Sequence, residues 1–395
     1  MKKEAEVSGT PVSFVYDRLY QRVDLAEWDI KLFQTKELTR LRHVSLSAIP
    51  TWTIPTGVCA SKFEHSVGVA HLAKIVGRRP EFRDISRDLY FAALAHDLGT
   101  PPFSHASEYF QVKLTGKNHE VFAEEIIEGG EFAEEVRKQG GNIDRVIAFV
   151  KGEDKPFSDL VNGSIDIDNL DNTLRFGLSM GLLHEKKYSP EELAKAYAIR
   201  DQNLVLLAEH TAGIEGWEET RRAVYEFVYG KINLSAGMML FRALDFARRE
   251  GEIDKSYFLM TDSEAFTFLS TKCNSRTRTL VERANRWMFY PRIHNLRETE
   301  VSDGFISYVL DSDNRGMMAD EISEAVGIPP EDVCVYMGKD KGFKKIHLPI
   351  VGGGGDQEHQ PKNKLAYMVQ VYLHPKWVGK IDEVGELIKC KLSVK

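Results

Sequence analysis

The sequence predicts a mainly α fold carrying a small α/β appendage at its carboxyl end. Three observations predict it. Apolar residues recur at spacings of three and four from about residue 19 to 284, Gly or Pro interrupts that pattern at intervals, and past about residue 298 short apolar runs are set off by Gly, Pro, Asp and Asn. The 395 residues exceed one simple core. On this reading they divide into an amino-terminal segment (1–35), a helical domain (36–297) and a small α/β domain (298–395). An apolar fraction of 43% with 28% charged residues belongs to a folded chain, not a disordered one.

Within the helical region the periodicity places helices first at 63–76, 85–96, 118–128 and 167–180. Residues 196–208, AYAIRDQNLVLLA, break it: two β-rich halves flank Asp201-Gln202-Asn203 and predict a hairpin. The run 215–250 then returns to helix. In the carboxyl-terminal part, 305–310, 333–336, 346–351 and 366–373 are the apolar runs, and VGGGGDQEHQPKNK (351–364) lies between the last two. That glycine-rich stretch lacks the Gly-Lys-Ser/Thr ending and following helix of a phosphate-cradling loop, so it is expected to be a mobile hairpin loop over a nucleotide site. The basic stretch KDKGFKKIHLPI reads either as a partner or effector surface or as a solvated edge strand.

The net charge of −7 argues against a general binder of nucleic acid or acidic membranes, which carries a basic excess. Cys59, Cys273, Cys334 and Cys390 are far apart and form no CxxC pair, so neither a disulfide framework nor a cysteine zinc site is indicated, and a reducing, cytoplasmic setting fits best. The first residues lack the apolar middle of a secretory signal, and no stretch approaches the roughly 20 apolar residues of a membrane span.

Metal-capable side chains concentrate between residues 65 and 171. They are His65 in SKFEHSVG, His96 and Asp97 in AALAHDLGTPPFSH, His105 closing that segment, His119 in KNHEVF, and Asp166, Asp168 and Asp171 in SIDIDNLDN. Imidazole and carboxylate suit a catalytic divalent cation that keeps positions open for water and substrate. Consecutive His96 and Asp97 point about 100° apart on a helix, so they converge only on a metal lying beside it, with other helices closing the shell. The preceding LYFAALA is an apolar, buried helix, at whose end a bare His-Asp is costly unless paired or metal-bound. Gly99 and Pro101-Pro102 then end the helix and leave His105 on a turn near the same opening. Taken singly, His65 or His119 is better explained by a bond to a backbone carbonyl than by metal, and the three aspartates are as well explained by capping or solvation. Their joint occurrence favours metal.

Taken in order, RLR (40–42), FEHSVGV, AHDLGTPPFSH, NHE and IDIDNLDN resemble the HD-domain superfamily, and within it the deoxynucleoside triphosphate triphosphohydrolase-like branch, over about residues 36–260. The resemblance implies a helical bundle whose ligands meet in a cleft. It also implies His65, His96, Asp97 and Asp168 as metal ligands, with Asp97, His105 and His119 as the catalytic set and the two histidines facing the phosphates. The implied chemistry is attack of a metal-activated water on phosphorus, with His105 or His119 protonating the leaving oxygen. The native ion (Mn, Fe, Mg, Ni or Zn) stays open. Dimers or larger homo-oligomers are implied as well.

Departures from the family pattern bear on substrate. Thr100 stands where those enzymes carry a further histidine, and Lys62 replaces an arginine, keeping the charge but losing the bidentate fork. The positions that read deoxyribose are occupied by Leu46, Asn172 and Phe176, so recognition of a 3'-hydroxyl is expected to differ. Arg40, Arg42, Lys62 and Arg175 are the candidate phosphate contacts, Arg175 because two helical turns separate it from Asp168. The expected function is therefore metal-dependent hydrolysis of a phosphate bond in a nucleotide or other phosphorylated small molecule. The alternatives are a nucleotide-sensing module with weak catalysis, suggested by Thr100 and the altered sugar positions, and a di-iron oxygenase of the HD type using His105 and His119 as added ligands.

Overall fold

The computed structural model of the chain describes residues 11–50, 53, 59–352 and 364–393. Helix dominates, as the spacing predicts. The central helix Ser86–Ala95 is buried from Leu89 through Ala95, because its SRDLYFAALA sequence is apolar on every side past its first turn and can be stable only when surrounded. Lys62–Val76 packs along it and is capped by Ser61, whose side chain accepts from the Glu64 amide. Ile143–Lys151, His119–Glu128 and Ile167–Ser179 close the bundle. Asn142, Asn118 and Asp166 cap these three helices in turn.

An antiparallel hairpin, Ser13–Asp17 with Gln21–Leu25, precedes the bundle, an element the helical periodicity does not reveal. The expected hairpin at 196–208 is present as Tyr197–Arg200 and Asn203–Leu207 in antiparallel register. Asp201 and Gln202 both have positive φ (49° and 63°), the backbone of a turn whose twist matches the strands. Ile350–Val351 adds to the edge of this hairpin in parallel, Leu206 opposite Ile350. The end of the basic stretch is thus an edge strand of the helical region. The run 215–250 is two helices, Ile214–Val228 and Lys231–Arg249, divided at Gly230.

In the carboxyl-terminal region a three-stranded antiparallel sheet runs in the order Arg292–Glu298, Tyr367–Leu373, Val333–Lys339. The apolar runs at 333–336 and 366–373 fall in strands, whereas 305–310 lies in the helix Asp303–Leu310. Successive strand residues face opposite sides. Val333, Val335, Met337, Val369 and Val371 pack with the appended helices Asp303–Leu310 and Asp313–Val326. Cys334, Tyr336, Met368 and Tyr372 pack with the core built on Lys231–Arg249. Burial on both faces explains the uninterrupted apolar runs, and it fixes the appendage against the helical region with Tyr336 facing inward. The glycine-rich loop expected at 351–364 falls, at 353–363, outside the described residues.

Candidate metal centre and adjoining cavity

Four of the predicted residues meet at one point. His65 Nε2 lies 2.9 Å from Asp168 Oδ1, 3.2 Å from His96 Nε2 and 3.6 Å from Asp97 Oδ2. His96 Nε2 lies 3.2 Å from Asp97 Oδ2 and 3.9 Å from Asp168 Oδ1. Ligands each about 2.1 Å from a cation sit roughly 3 Å or a little more from one another, so His65, His96 and Asp168 form a group that could hold a divalent ion, with Asp97 Oδ2 beside its two imidazoles. A second observation agrees: Asp97 Oδ2 is buried and makes no hydrogen bond. An orphaned carboxylate oxygen facing two imidazoles is costly unless a cation occupies the space. His65, His96 and Asp97 are buried, while the Asp168 side chain is 29% exposed, which leaves the cluster open on one side.

Local sequence puts each group in place. Asp166 caps Ile167–Ser179 by accepting from the Asn169 amide at 2.6 Å, so of the three aspartates it is the cap. Asp168 in the first turn faces the cluster. Asp171 lies behind His65 and receives its Nδ1 at 2.7 Å. His96 Nδ1 is held by the Ala93 carbonyl at 2.8 Å. Both imidazoles therefore turn Nε2 inward, fixed by the partner on the other ring nitrogen. Asp97 Oδ1 is occupied by Lys62 Nζ and Thr100 Oγ1, each at 2.8 Å, which aims Oδ2 at the cluster. Burial opposes ionisation of Asp97, but Lys62, His96 and His65 outweigh it and hold its carboxyl well below the usual range.

The cations expected on phosphate are engaged elsewhere. Arg175 is fully buried: Nε and Nη2 clamp Asp171 at 2.7 and 2.8 Å, and Nη1 reaches Asp17 at 2.8 Å and Glu64 at 3.0 Å. The two-turn spacing from Asp168 was a valid face argument, yet that face packs inward. Tyr20 adds a hydrogen bond to Asp171 Oδ2 at 2.7 Å. A Cβ on Gly68 would lie 2.1 Å from that same oxygen, so glycine is required for this close approach. Arg40 donates to the carbonyls of Leu98 (2.7 Å) and Thr100 (2.9 Å), bracing the turn after Asp97, and burial lowers its pKa to about 10. Arg42 is exposed and stacks on the Phe63 ring at 3.6 Å. Lys62 is a buried partner of Asp97. Thr100, 1% exposed, sits beneath Asp97 and does not line the cavity described below.

His105 and His119 form a second group through a residue the sequence reading missed. Glu108 receives His105 Nδ1 at 2.9 Å with one oxygen and His119 Nδ1 with the other. The pairing was readable, since Glu108 is three residues after His105 on one helix face. Burial pulls His119 down, but the Glu108 hydrogen bond and charge prevail and raise its pKa. For His105, burial prevails over Glu108, with Lys62 and His119 adding to it, and its pKa is lowered. Glu108 itself is held far below the ordinary range: burial raises it, and its two histidines more than reverse that. His105 follows two residues with positive φ, Phe103 (61°) and Ser104 (51°). Asp262 pins this strained turn by accepting from the Phe103 amide at 2.7 Å and the Ser45 amide at 3.0 Å.

A cavity of about 210 Å³ adjoins His105. Leu46, Asn172 and Phe176, the positions singled out by sequence for the substrate pocket, all line it. Its far side is supplied by the carboxyl-terminal region through Arg315, Tyr336 and Lys341.

Comparison with known proteins agrees with this arrangement. Residues 63–175 match the family described as HD domain, and 194–363 match the HD associated region. The Bacillus subtilis protein YwfO is 29% identical over 233 residues, 56% of this chain and 52% of that protein, so the match spans about half of that relative. The Dictyostelium discoideum deoxynucleoside triphosphate triphosphohydrolase SAMHD1 homolog is 24% identical over 83% of this chain and 68% of its own. Two crystal structures share the fold. A hypothetical protein from Aquifex aeolicus has a TM-score of 0.75 at 19% identity, over 94% of this chain and 99% of that one. A phosphohydrolase from Bacteroides thetaiotaomicron has a TM-score of 0.67 at 18% identity, over 91% and 99%. With the His65, His96-Asp97 and Asp168 elements in place, the chain belongs to the HD-domain phosphohydrolase superfamily and resembles its deoxynucleoside triphosphate triphosphohydrolase-like branch.

Proposed function

We propose that the protein hydrolyses a phosphate bond of a nucleoside or deoxynucleoside triphosphate, with triphosphate as the candidate product. The observation that carries this reading is the unsatisfied Asp97 Oδ2 facing His65 and His96, which together with Asp168 form a metal-capable group. These four side chains would hold one divalent cation, from among Mn, Fe, Mg, Ni and Zn. When bound, such an ion lowers the pKa of water and offsets charge on phosphate oxygens.

The chain's own groups do the rest. Lys62 and Thr100 hold Asp97, and Asp171 with Arg175 holds His65, so the ligand atoms do not reorganise as charge develops. His119, whose pKa is raised by Glu108, is the group that gives its proton to the leaving oxygen as the phosphorus–oxygen bond breaks. His105, which shares Glu108 with His119, lines the cavity. The cavity takes the nucleoside, and Leu46, Asn172 and Phe176 replace polar contacts to the sugar by packing and one amide. Homo-oligomerisation and a cytoplasmic location accompany this reading. No disulfide joins the cysteines, and among the described residues no helix is long and apolar enough to cross a membrane.

The test is a panel of ribo- and deoxynucleoside triphosphates incubated with the manganese-loaded protein, with products resolved by chromatography. Nucleoside plus triphosphate is expected, and failure to turn over any phosphorylated compound rejects the reading. His105, Glu108 and His119 could themselves hold a cation. That favours the di-iron oxygenase as the second reading, which requires two irons per chain and an oxygen-dependent product.

A further inference from the structure

Among the described residues the two fully buried arginines are matched by carboxylates, whereas Arg315, half-buried in the cavity wall, is not. Arg175 meets Asp171, Asp17 and Glu64, and Arg242 meets Asp245 and Asp320. Arg315, from the helix Asp313–Val326, has no ion-pair partner among the described residues. Its Nε donates to the Met337 carbonyl at 2.9 Å. Its guanidinium lies over the rings of Tyr336 (5.2 Å) and Phe241 (5.3 Å), which fix its plane, and the group lines the cavity. Burial lowers its pKa, and tyrosines, not acids, are the neighbours that oppose this.

The cavity's composition narrows what Arg315 faces. No Asp or Glu lines it, whereas Phe176, Tyr225, Tyr229, Phe241 and Tyr336 do, along with Lys341. The aromatic walls suit a flat, apolar-faced ring, and the charged groups among the lining residues, Arg315 and Lys341, are donors. A guanidinium offers two parallel N–H donors, which match the adjacent O6 and N7 acceptors of a 6-oxopurine. Adenine places an amino donor where O6 would be and leaves one of those N–H groups unpaired, a loss that discriminates more strongly than an apolar mismatch.

We infer that Arg315 reads the base, and that the carboxyl-terminal region thereby selects 6-oxopurine nucleotides, guanosine or inosine, over adenosine nucleotides. The inference rests on the nucleotide reading above. It adds that specificity is contributed by a region outside the HD domain proper, through a sheet whose inner face is locked onto the helix Lys231–Arg249.

Calorimetric titration with GTP, ITP and ATP tests this in calcium-containing buffer, on the full chain and on Arg315→Met and Arg315→Lys. The wild type is expected to bind GTP and ITP at least about tenfold more tightly than ATP, the scale of one bidentate base contact. The ratio should fall toward one in Arg315→Met and to an intermediate value in Arg315→Lys, which keeps the charge without the fork. Equal wild-type affinities for GTP and ATP overturn the inference even if neither variant folds, and so does an undiminished ratio in either folded variant. Parallel turnover of bis(p-nitrophenyl) phosphate by the manganese-loaded wild type separates the two levels. Hydrolysis without base preference defeats only the role of Arg315, whereas absence of both nucleotide binding and hydrolysis defeats the functional reading itself.

Discussion

His65 Nδ1 and Asp171 Oδ1 lie 2.7 Å apart, both side chains fully buried, so the ring that turns Nε2 toward Asp97 and Asp168 is fixed from behind by a carboxylate. That carboxylate is held to about pKa 2, burial being overcome by Arg175 and His65. Replacing it by Asp171→Asn keeps the shape and removes the charge that makes His65 a better ligand. We expect metal affinity to fall by about 10- to 100-fold, the range for such supporting partners. Titration of the stripped protein with manganese measures it, and an unchanged dissociation constant would show that Asp171 only packs.

Lys62 and Asp97 form an ion pair at 2.8 Å with side chains 3% and 2% exposed. Lys62→Met strands the Asp97 charge and is expected to cost the metal-free protein about 3–5 kcal/mol in urea denaturation. Saturating manganese should recover part of the loss, because the ion replaces the missing positive charge. A loss below 1 kcal/mol would contradict this placement of Lys62.

Glu108 raises the pKa of His119. With His119 acting as the protonated acid, activity is present below that pKa and lost as pH rises through it. Glu108→Gln removes the raising interaction, so the proton leaves at lower pH and the alkaline limb of the kcat profile moves toward acid. A limb that stays in place would remove His119 from the role of acid.

Gly68→Ala drives a methyl group against Asp171 and Arg175, both immobilised. Overpacking of this kind costs about 1–3 kcal/mol. Because the displaced groups hold His65, metal affinity should fall together with stability. Thermal melts with and without manganese report both, and a variant as stable and as avid as the wild type would show that the network yields.

The metal cluster was legible because its pieces are local: a His-Asp pair ending an apolar helix, an aspartate just inside a capped helix, and a histidine on a buried one. What surrounds it was not. Arg175 looks like a phosphate ligand by spacing, but two of its partners, Asp17 and Glu64, lie 158 and 111 residues away, and no periodicity reports such a pairing. Tyr20 reaches Asp171 across 151 residues from a hairpin within the amino-terminal segment 1–35, for which no strand was expected. Glu108 was within reach, one helical turn from His105. The substrate positions fared unevenly for a physical reason. Leu46, Asn172 and Phe176 line the cavity, whereas Thr100 is drawn under Asp97, since a hydroxyl is too short to project past the ligand it supports. The role of Tyr336 depends on sheet face, which follows from alternation only once the partner on each side is known.

The central claim is tested most directly by titrating the metal-stripped chain with manganese while following hydrolysis of a nucleoside triphosphate. Turnover should be absent at the start, rise to a plateau at one ion per chain, and stay absent throughout for Asp97→Ala. Turnover by the stripped chain in excess chelator, or a normal plateau in Asp97→Ala, would contradict the assignment of His65, His96, Asp97 and Asp168 as the seat of the reaction.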